Sequence, residues 1–181
     1  MIKIPFFSKR PDEIAPLFGD IVAASRAPVA YLEYGIADTF EGRFERLSLI
    51  MTLVLKRLQA LPAPATTMAQ ELVDTFFASL DDGLRRAGIG DLSVPKRMKK
   101  LAQGFYGRAE AYTSALASGE ERQLREALAR NLYASSVAPE AVPDAVLVEI
   151  ANIEAALERR DCKSLLVGTV LQAAIMEGVE P

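Results

Sequence analysis

The sequence predicts an all-α protein, a single domain of helices with the second helix at its centre. Three observations carry this reading: apolar residues recur at spacings of three and four, Pro, Gly and Asp/Ser/Thr cluster between the periodic segments, and no stretch alternates strictly as a half-buried strand would. The punctuation divides the chain into about seven helices. With 181 residues, 50% of them hydrophobic, a domain spanning 1–181 buries a sizeable core without metal or disulfide support, and residues 1–11 read as a loosely ordered leader to it.

Helix one is expected over 12–25, with Pro16 near its first turn and Pro28 beyond its end, and 30–37 reads as an aromatic-rich connector. Helix two is expected over 38–60, with Asp38 as N-cap, Glu41 completing a capping box, and Pro62 and Pro64 as the stop. On a helix projection Phe40, Phe44, Leu47, Met51, Val54, Leu55 and Leu58 form one stripe, while Leu49 and Leu53 fall opposite. Such a helix needs neighbours on two sides, hence its central place. Arg43 borders the stripe, where a guanidinium finds a carboxylate or carbonyl; it is expected to orient the connector.

Helix three is expected over 67–87, with Leu72, Val73, Phe76, Phe77, Leu80 and Leu84 facing inward and Gly88 as terminator. Its far face carries Glu71, Asp74, Asp81 and Asp82. Asp81 with Arg85, and Asp82 with Arg86, have the acid-before-base spacing of a helical ion pair, a reading that outweighs metal ligation or general acid-base work. Helix four is expected over 93–117, with Ser93 as cap, Pro95 early and Gly119 beyond the end; helix five follows over 120–133. After a loop with Pro139 and Pro143 come helix six, 144–160, and helix seven, 161–177. Cys162, the single cysteine, reads as a small buried hydrophobe of helix seven.

What is missing bounds the function. The chain has no histidine, which removes imidazole nucleophile systems, imidazole acid-base catalysis and imidazole metal ligands. Gly88 and Gly90 give only Gly-Ile-Gly, without the context of a phosphate-binding loop. No catalytic centre, cofactor or metal is expected. A third possibility, an enzyme working through Tyr, Lys and carboxylates, would need a deep polar pocket gathering a carboxylate with a lysine. The net charge of -3, from 24 acidic and 21 basic side chains, gives no global attraction to DNA, RNA or anionic lipid. The apolar runs 47–55 and 165–176 fall short of a spanning helix, and residues 1–10 lack a signal or transit pattern, so a cytoplasmic protein is expected, with the cytoplasmic face of the inner membrane a further location. Contact of Phe6 and Phe7 with a membrane surface stays open.

The stretch 84–112 is the most informative. Met98, Leu101, Ala102, Phe105, Ala109 and Tyr112 project to one side of helix four, and Lys96, Lys99, Lys100 and Gln103 to the other, with Arg97 on the flank. Gly104 and Gly107 lie inside this helix, where each costs about 1 kcal/mol relative to alanine. A glycine lets another backbone approach closely, so Lys96, Lys99, Lys100, Gly104 and Gly107, together with Arg97 and Arg108, are expected to form a docking strip for an acidic protein partner. A solvated surface is the ordinary competing reading, and RNA is a rival partner that no recognition motif accompanies.

Residues 34–58, YGIADTFEGRFERLSLIMTLVLKRL, and the stretch 76–112 ending in GIGDLSVPKRMKKLAQGFYGRAEAY resemble the ubiquinol-cytochrome c chaperone family, the similarity covering most of residues 20–135. The matching marks are Tyr34, Gly35, Asp38, Thr39, Gly42, Arg43 and Phe44 in the first block. In the second they are Asp81, Leu84, Gly88, Gly90, Asp91, Lys96, Met98, Lys99, Phe105, Tyr106, Gly107, Arg108 and Tyr112. The resemblance implies a helical, non-catalytic assembly factor of the respiratory cytochrome bc1 complex, whose mitochondrial relatives bind newly made cytochrome b near the ribosome together with a small partner protein. This sequence lacks an import extension, which suits a bacterial homologue and leaves ribosome and small partner open. The expectation is a chaperone binding cytochrome b or a related membrane subunit; the alternative is a helical regulatory or ribosome-associated RNA-binding module.

Overall fold

The structure, a computed structural model, describes residues 13–177, so the N-terminal segment 1–11 with Phe6 and Phe7, and the expected helix start at Asp12, lie outside the described residues. Among the described residues there is no strand, as the periodicity predicts. The helices run α1 Ala15–Ser25, α2 Pro28–Leu32, α3 Phe40–Gln59, α4 Ala65–Arg86, α5 Val94–Ser118, α6 Glu121–Asn131, a 3-10 turn Pro139–Ala141, α7 Asp144–Glu158, α8 Cys162–Leu165 and α9 Val170–Glu177. Two departures from the expected segmentation stand out. The connector holds the short α2, opened by Pro28, and the expected last helix is two helices.

α3 is the central helix. It packs against α4 and α5 on one side and α1 and α7 on another, and Leu49, Ile50, Met51, Leu53, Val54 and Leu58 are all buried. Phe40, at its first position, is 52% exposed and does not join the stripe. The N-cap is Thr39 rather than Asp38: its backbone is extended and its Oγ1 accepts from the Gly42 amide at 3.1 Å. Asp38 instead accepts from Arg43 Nε at 2.6 Å, so Arg43 does fasten the connector to α3. Gly42 is required here, because a Cβ would lie 1.9 Å from the Ala37 carbonyl oxygen.

α4 and α5 form a helical hairpin. Gly88, at φ +78, closes α4: its amide donates to the Arg85 carbonyl at 2.9 Å and the Ile89 amide to the Leu84 carbonyl at 3.2 Å. α5 then runs to Gly119, which takes a left-handed φ of +68, and Ser93 makes no side-chain cap.

On the far side of α3, α1, α7 and α9 pack together. The break before α9 falls at Gly168 and Thr169, with φ values of +76 and +83. Asp20 of α1 reaches across: one carboxylate oxygen accepts from the Leu171 amide at 2.9 Å and the other from the Gln172 amide at 3.3 Å, capping α9 from a distant helix. Cys162 opens α8 and is half-buried, not the core hydrophobe expected.

Candidate protein-binding surface

The hairpin is fixed to α3 by aromatic rings. The Phe76 ring lies 6.4 Å from Phe44, 5.0 Å from Phe77 and 4.8 Å from Phe105, centroid to centroid, and Tyr106 stands 6.0 Å from Phe77 and 5.4 Å from Phe105. These offset and tilted arrangements suit the ring quadrupoles, and burying each inner ring contributes about 2 kcal/mol. Phe44, Phe76 and Phe105 are buried, whereas Tyr106, the outermost, is 53% exposed.

Tyr106 thereby borders a groove of about 430 Å³ between α3, α4 and α5. Leu55 and Leu58 come from α3, Ala69 and Val73 from α4, and Phe105 and Ala109 from α5; Thr66, Gln70 and Thr113 add polar groups. The lining holds no carboxylate and one cation, Lys56, which Glu154 of α7 engages. A carboxylate and lysine gathered for proton transfer are absent from this groove; an apolar segment with a few hydrogen-bonding groups fits its chemistry.

Beside the groove α5 turns an open face to solvent. Lys96, Lys99, Lys100, Gln103 and Gly107 are exposed there, and Arg97 is exposed next to them. None of these four cations has an ion-pair partner among the described residues. Gly107 has open space where a Cβ would stand, so packing does not call for glycine at this position.

Gly104 and Arg108 sit on the flank turned to α3, not on the open docking strip expected of them. Arg108 donates from Nε and Nη2 to the two carboxylate oxygens of Glu45, and its guanidinium carbon lies 5.6 Å from the Phe44 ring centroid. A Cβ on Gly104 would come within 2.7 Å of Arg108 Nη1. The bidentate pair holds that nitrogen in place, so the glycine at 104 makes room for the guanidinium.

The remaining marked residues shape the scaffold. Tyr34 is buried behind α2, its carbonyl accepts from the Tyr133 hydroxyl at 2.8 Å, and burial together with the neighbouring Glu149 carboxylate pushes its phenol up. Asp38 is held below the usual carboxylate range by its hydrogen bond from Arg43. Asp81 accepts from Arg85 at 2.6 Å and Asp82 engages Arg86, as their spacing predicts; Arg85 also holds Asp91, tying the end of α4 to the turn. The Gly90 carbonyl accepts from the Ser93 and Val94 amides at 2.8 and 3.3 Å, starting α5.

The sequence reading misses the charged residues that hold the interior. Arg46 and Glu149 form an ion pair that is wholly buried, between α3 and α7, and Glu45 is buried against Arg108. A signal for the first exists: Arg46 is in helical phase with buried Leu49, Ile50 and Leu53, and Glu149 with Val146, Ile153 and Ala156. A charge on an apolar stripe demands a buried partner.

Among the described residues no group of side chains is arranged to hold a metal ion, and no helix is long and apolar enough to cross a membrane. No curated protein matches the chain at a significant level. A solved structure described as the Cbp3 homolog from Brucella abortus is similar to it, with a TM-score of 0.74 and 36% identity over 86% of each chain. The family model for ubiquinol-cytochrome C chaperone matches residues 32–173, a span that takes in α3, the hairpin with its groove and open basic face, and the first half of α9. The chain belongs to the ubiquinol-cytochrome c chaperone family.

Proposed function

We propose that this chaperone holds cytochrome b during assembly of the bc1 complex, receiving an apolar client segment in the groove between α3, α4 and α5. Lys96, Lys99, Lys100 and Gly107 dock a more polar, acidic part of the client on the adjoining face, and the protein binds without turnover. The observation that carries this reading is the juxtaposition on α5: an apolar groove rimmed by half-exposed Tyr106, beside unpaired lysines and a glycine for which packing has no use. Exposed aromatic rims and local cations are what recognition of a partly apolar protein segment needs. Because an integral subunit is received where it meets the bilayer, the site of action is the inner face of the membrane.

Deletion of the gene in a host with a bc1 complex tests the reading: cytochrome b content falls, and normal assembly overturns it. Complementation sharpens the test. Lys96→Glu with Lys99→Glu and Lys100→Glu, and separately Val73→Asp, restore less cytochrome b than the wild-type chain while circular dichroism stays unchanged. Full rescue by both variants removes this surface from consideration.

A further inference from the structure

The turn joining α4 to α5 carries Leu92, which is 98% exposed. This is not a fraying loop: the glycine closure of α4, the two amides donating to the Gly90 carbonyl and the contact of Arg85 with Asp91 fix its backbone. The apolar residues that flank the turn, Leu84 and Val94, are buried and Ile89 within it is half-buried, whereas Leu92 stands away from the protein. Fixing a leucine at the apex of a rigid turn in water gives the fold nothing.

Charge gathers at the same tip. Between residues 81 and 100 there are six cations and three carboxylates, in a chain whose net charge is -3. Asp81, Asp82 and Asp91 are all engaged by Arg85 and Arg86, and among the described residues Lys96, Arg97, Lys99 and Lys100, on the first turns of α5, have no ion-pair partner. The positive end of the α5 dipole points to this end as well.

We infer that this tip is an anchor for an anionic phospholipid surface, with Leu92 entering the boundary of the acyl chains and Lys96, Arg97 and Lys100 set among the phosphates. A headgroup layer accepts both features together, a protruding apolar side chain and a cluster of cations on the helix that follows it. An acidic protein surface would satisfy the cations and leave Leu92 wet. RNA would call for stacking planes, and the turn from Ala87 to Ser93 has no aromatic residue. The inference goes beyond the client reading. Lys96 and Lys100 are shared with the client face and Arg97 flanks it, whereas Leu92 belongs to the tip alone.

Sedimentation of the full chain with vesicles of equal parts phosphatidylcholine and phosphatidylglycerol, against vesicles of phosphatidylcholine alone, provides the test. Binding occurs on the anionic vesicles and weakens with added salt. Leu92→Ser lowers the partition coefficient about tenfold and Arg97→Gln about fivefold. Lys96→Gln, Arg97→Gln and Lys100→Gln combined lower it about a hundredfold. Because these side chains are exposed, the melting curves stay at the wild-type position. Absence of vesicle binding, or binding unchanged in all three variants, overturns the inference. So does tighter binding of a single-stranded RNA oligomer that is indifferent to Leu92, which gives the tip to nucleic acid. Leu92→Ser leaves capture of cytochrome b from detergent solution intact, so failure of the wild-type chain to capture the client strikes the client reading and not this one.

Discussion

The Arg46 guanidinium and the Glu149 carboxylate, in contact and out of solvent, are the least forgiving pair of side chains in the molecule. Among the described residues Arg46 Nε and Nη1 and Glu149 Oε2 have no hydrogen-bond partner, so each charge depends on the other. Glu149→Gln removes the charge and leaves a buried guanidinium uncompensated, and a loss of about 3–5 kcal/mol is the expected result, read as a lower midpoint in urea. Replacing both with apolar side chains, Arg46→Met with Glu149→Met, restores most of that loss because neither desolvation cost remains. A double variant less stable than Glu149→Gln alone would contradict the account. The pair also marks a boundary of sequence reading. Its two members stand 103 residues apart, so helical phase places each on a buried stripe while nothing local says which charge meets which. Arg43 is the contrasting case: its partner Asp38 lies five residues away, and a local search suffices.

At the scale of helices, α4 and α5 were legible because their ends are made by neighbouring residues, Gly88 after α4 and Gly119 after α5. The sequence puts the start of α3 one residue early, at Asp38, because Asp38 and Thr39 are both capping residue types and only the geometry gives the role to Thr39. The division of the last segment into α8 and α9 is made from outside it. A Cβ on Gly168 would approach the Pro16 carbonyl oxygen to 3.2 Å, and the free amides of α9 are taken by Asp20, 151 residues from Leu171. A periodic apolar pattern over 165–176 contains no trace of either contact. Asp20→Ala, which leaves those amides without an acceptor, is expected to lower stability by about 1–2 kcal/mol, with faster amide exchange concentrated in α9. Uniform loss of protection across α1, α3 and α9 would deny Asp20 its capping role. The start of α3 has its own demand. Gly42→Ala drives a Cβ into the Ala37 carbonyl, a backbone group that cannot swing aside, so a loss of about 2 kcal/mol or more is expected, whereas Gly107→Ala, in open space, raises stability by up to about 1 kcal/mol. On the same helix Gly104 misled the projection because only the path of the distant Glu45 and Arg108 pair explains it. If Gly107→Ala stabilises the fold and weakens cytochrome b capture together, that glycine is kept for the partner rather than for packing.

The molecule as a whole has titratable groups that make its stability fall in alkali. All five tyrosines, Tyr31, Tyr34, Tyr106, Tyr112 and Tyr133, are pushed above the ordinary phenol range, in each case first by burial. Tyr133 rises to about 12 against the opposing pull of Arg46, and Tyr112, deep between Glu45 and the helix core, rises further. A group whose folded pKa exceeds its unfolded value keeps its full contribution below the unfolded pKa and loses it as pH climbs toward the folded one. The unfolded phenol titrates near 10, so stability is level through neutral pH and declines from about pH 10 upward, most steeply before pH 12. Tyrosinate absorbance followed with circular dichroism should show the ionisation of the buried phenols arriving together with loss of helix. Tyr133→Phe separates the two terms at this site. It forfeits the hydrogen bond to the Tyr34 carbonyl and lowers stability at neutral pH by about 1 kcal/mol, yet it removes one phenol that only the unfolded chain ionises readily, so its decline between pH 10 and pH 12 is shallower. An unchanged slope would mean that Tyr133 ionises as easily folded as unfolded, and that the contact between the segment after α6 and the Tyr34 connector opens before the core does.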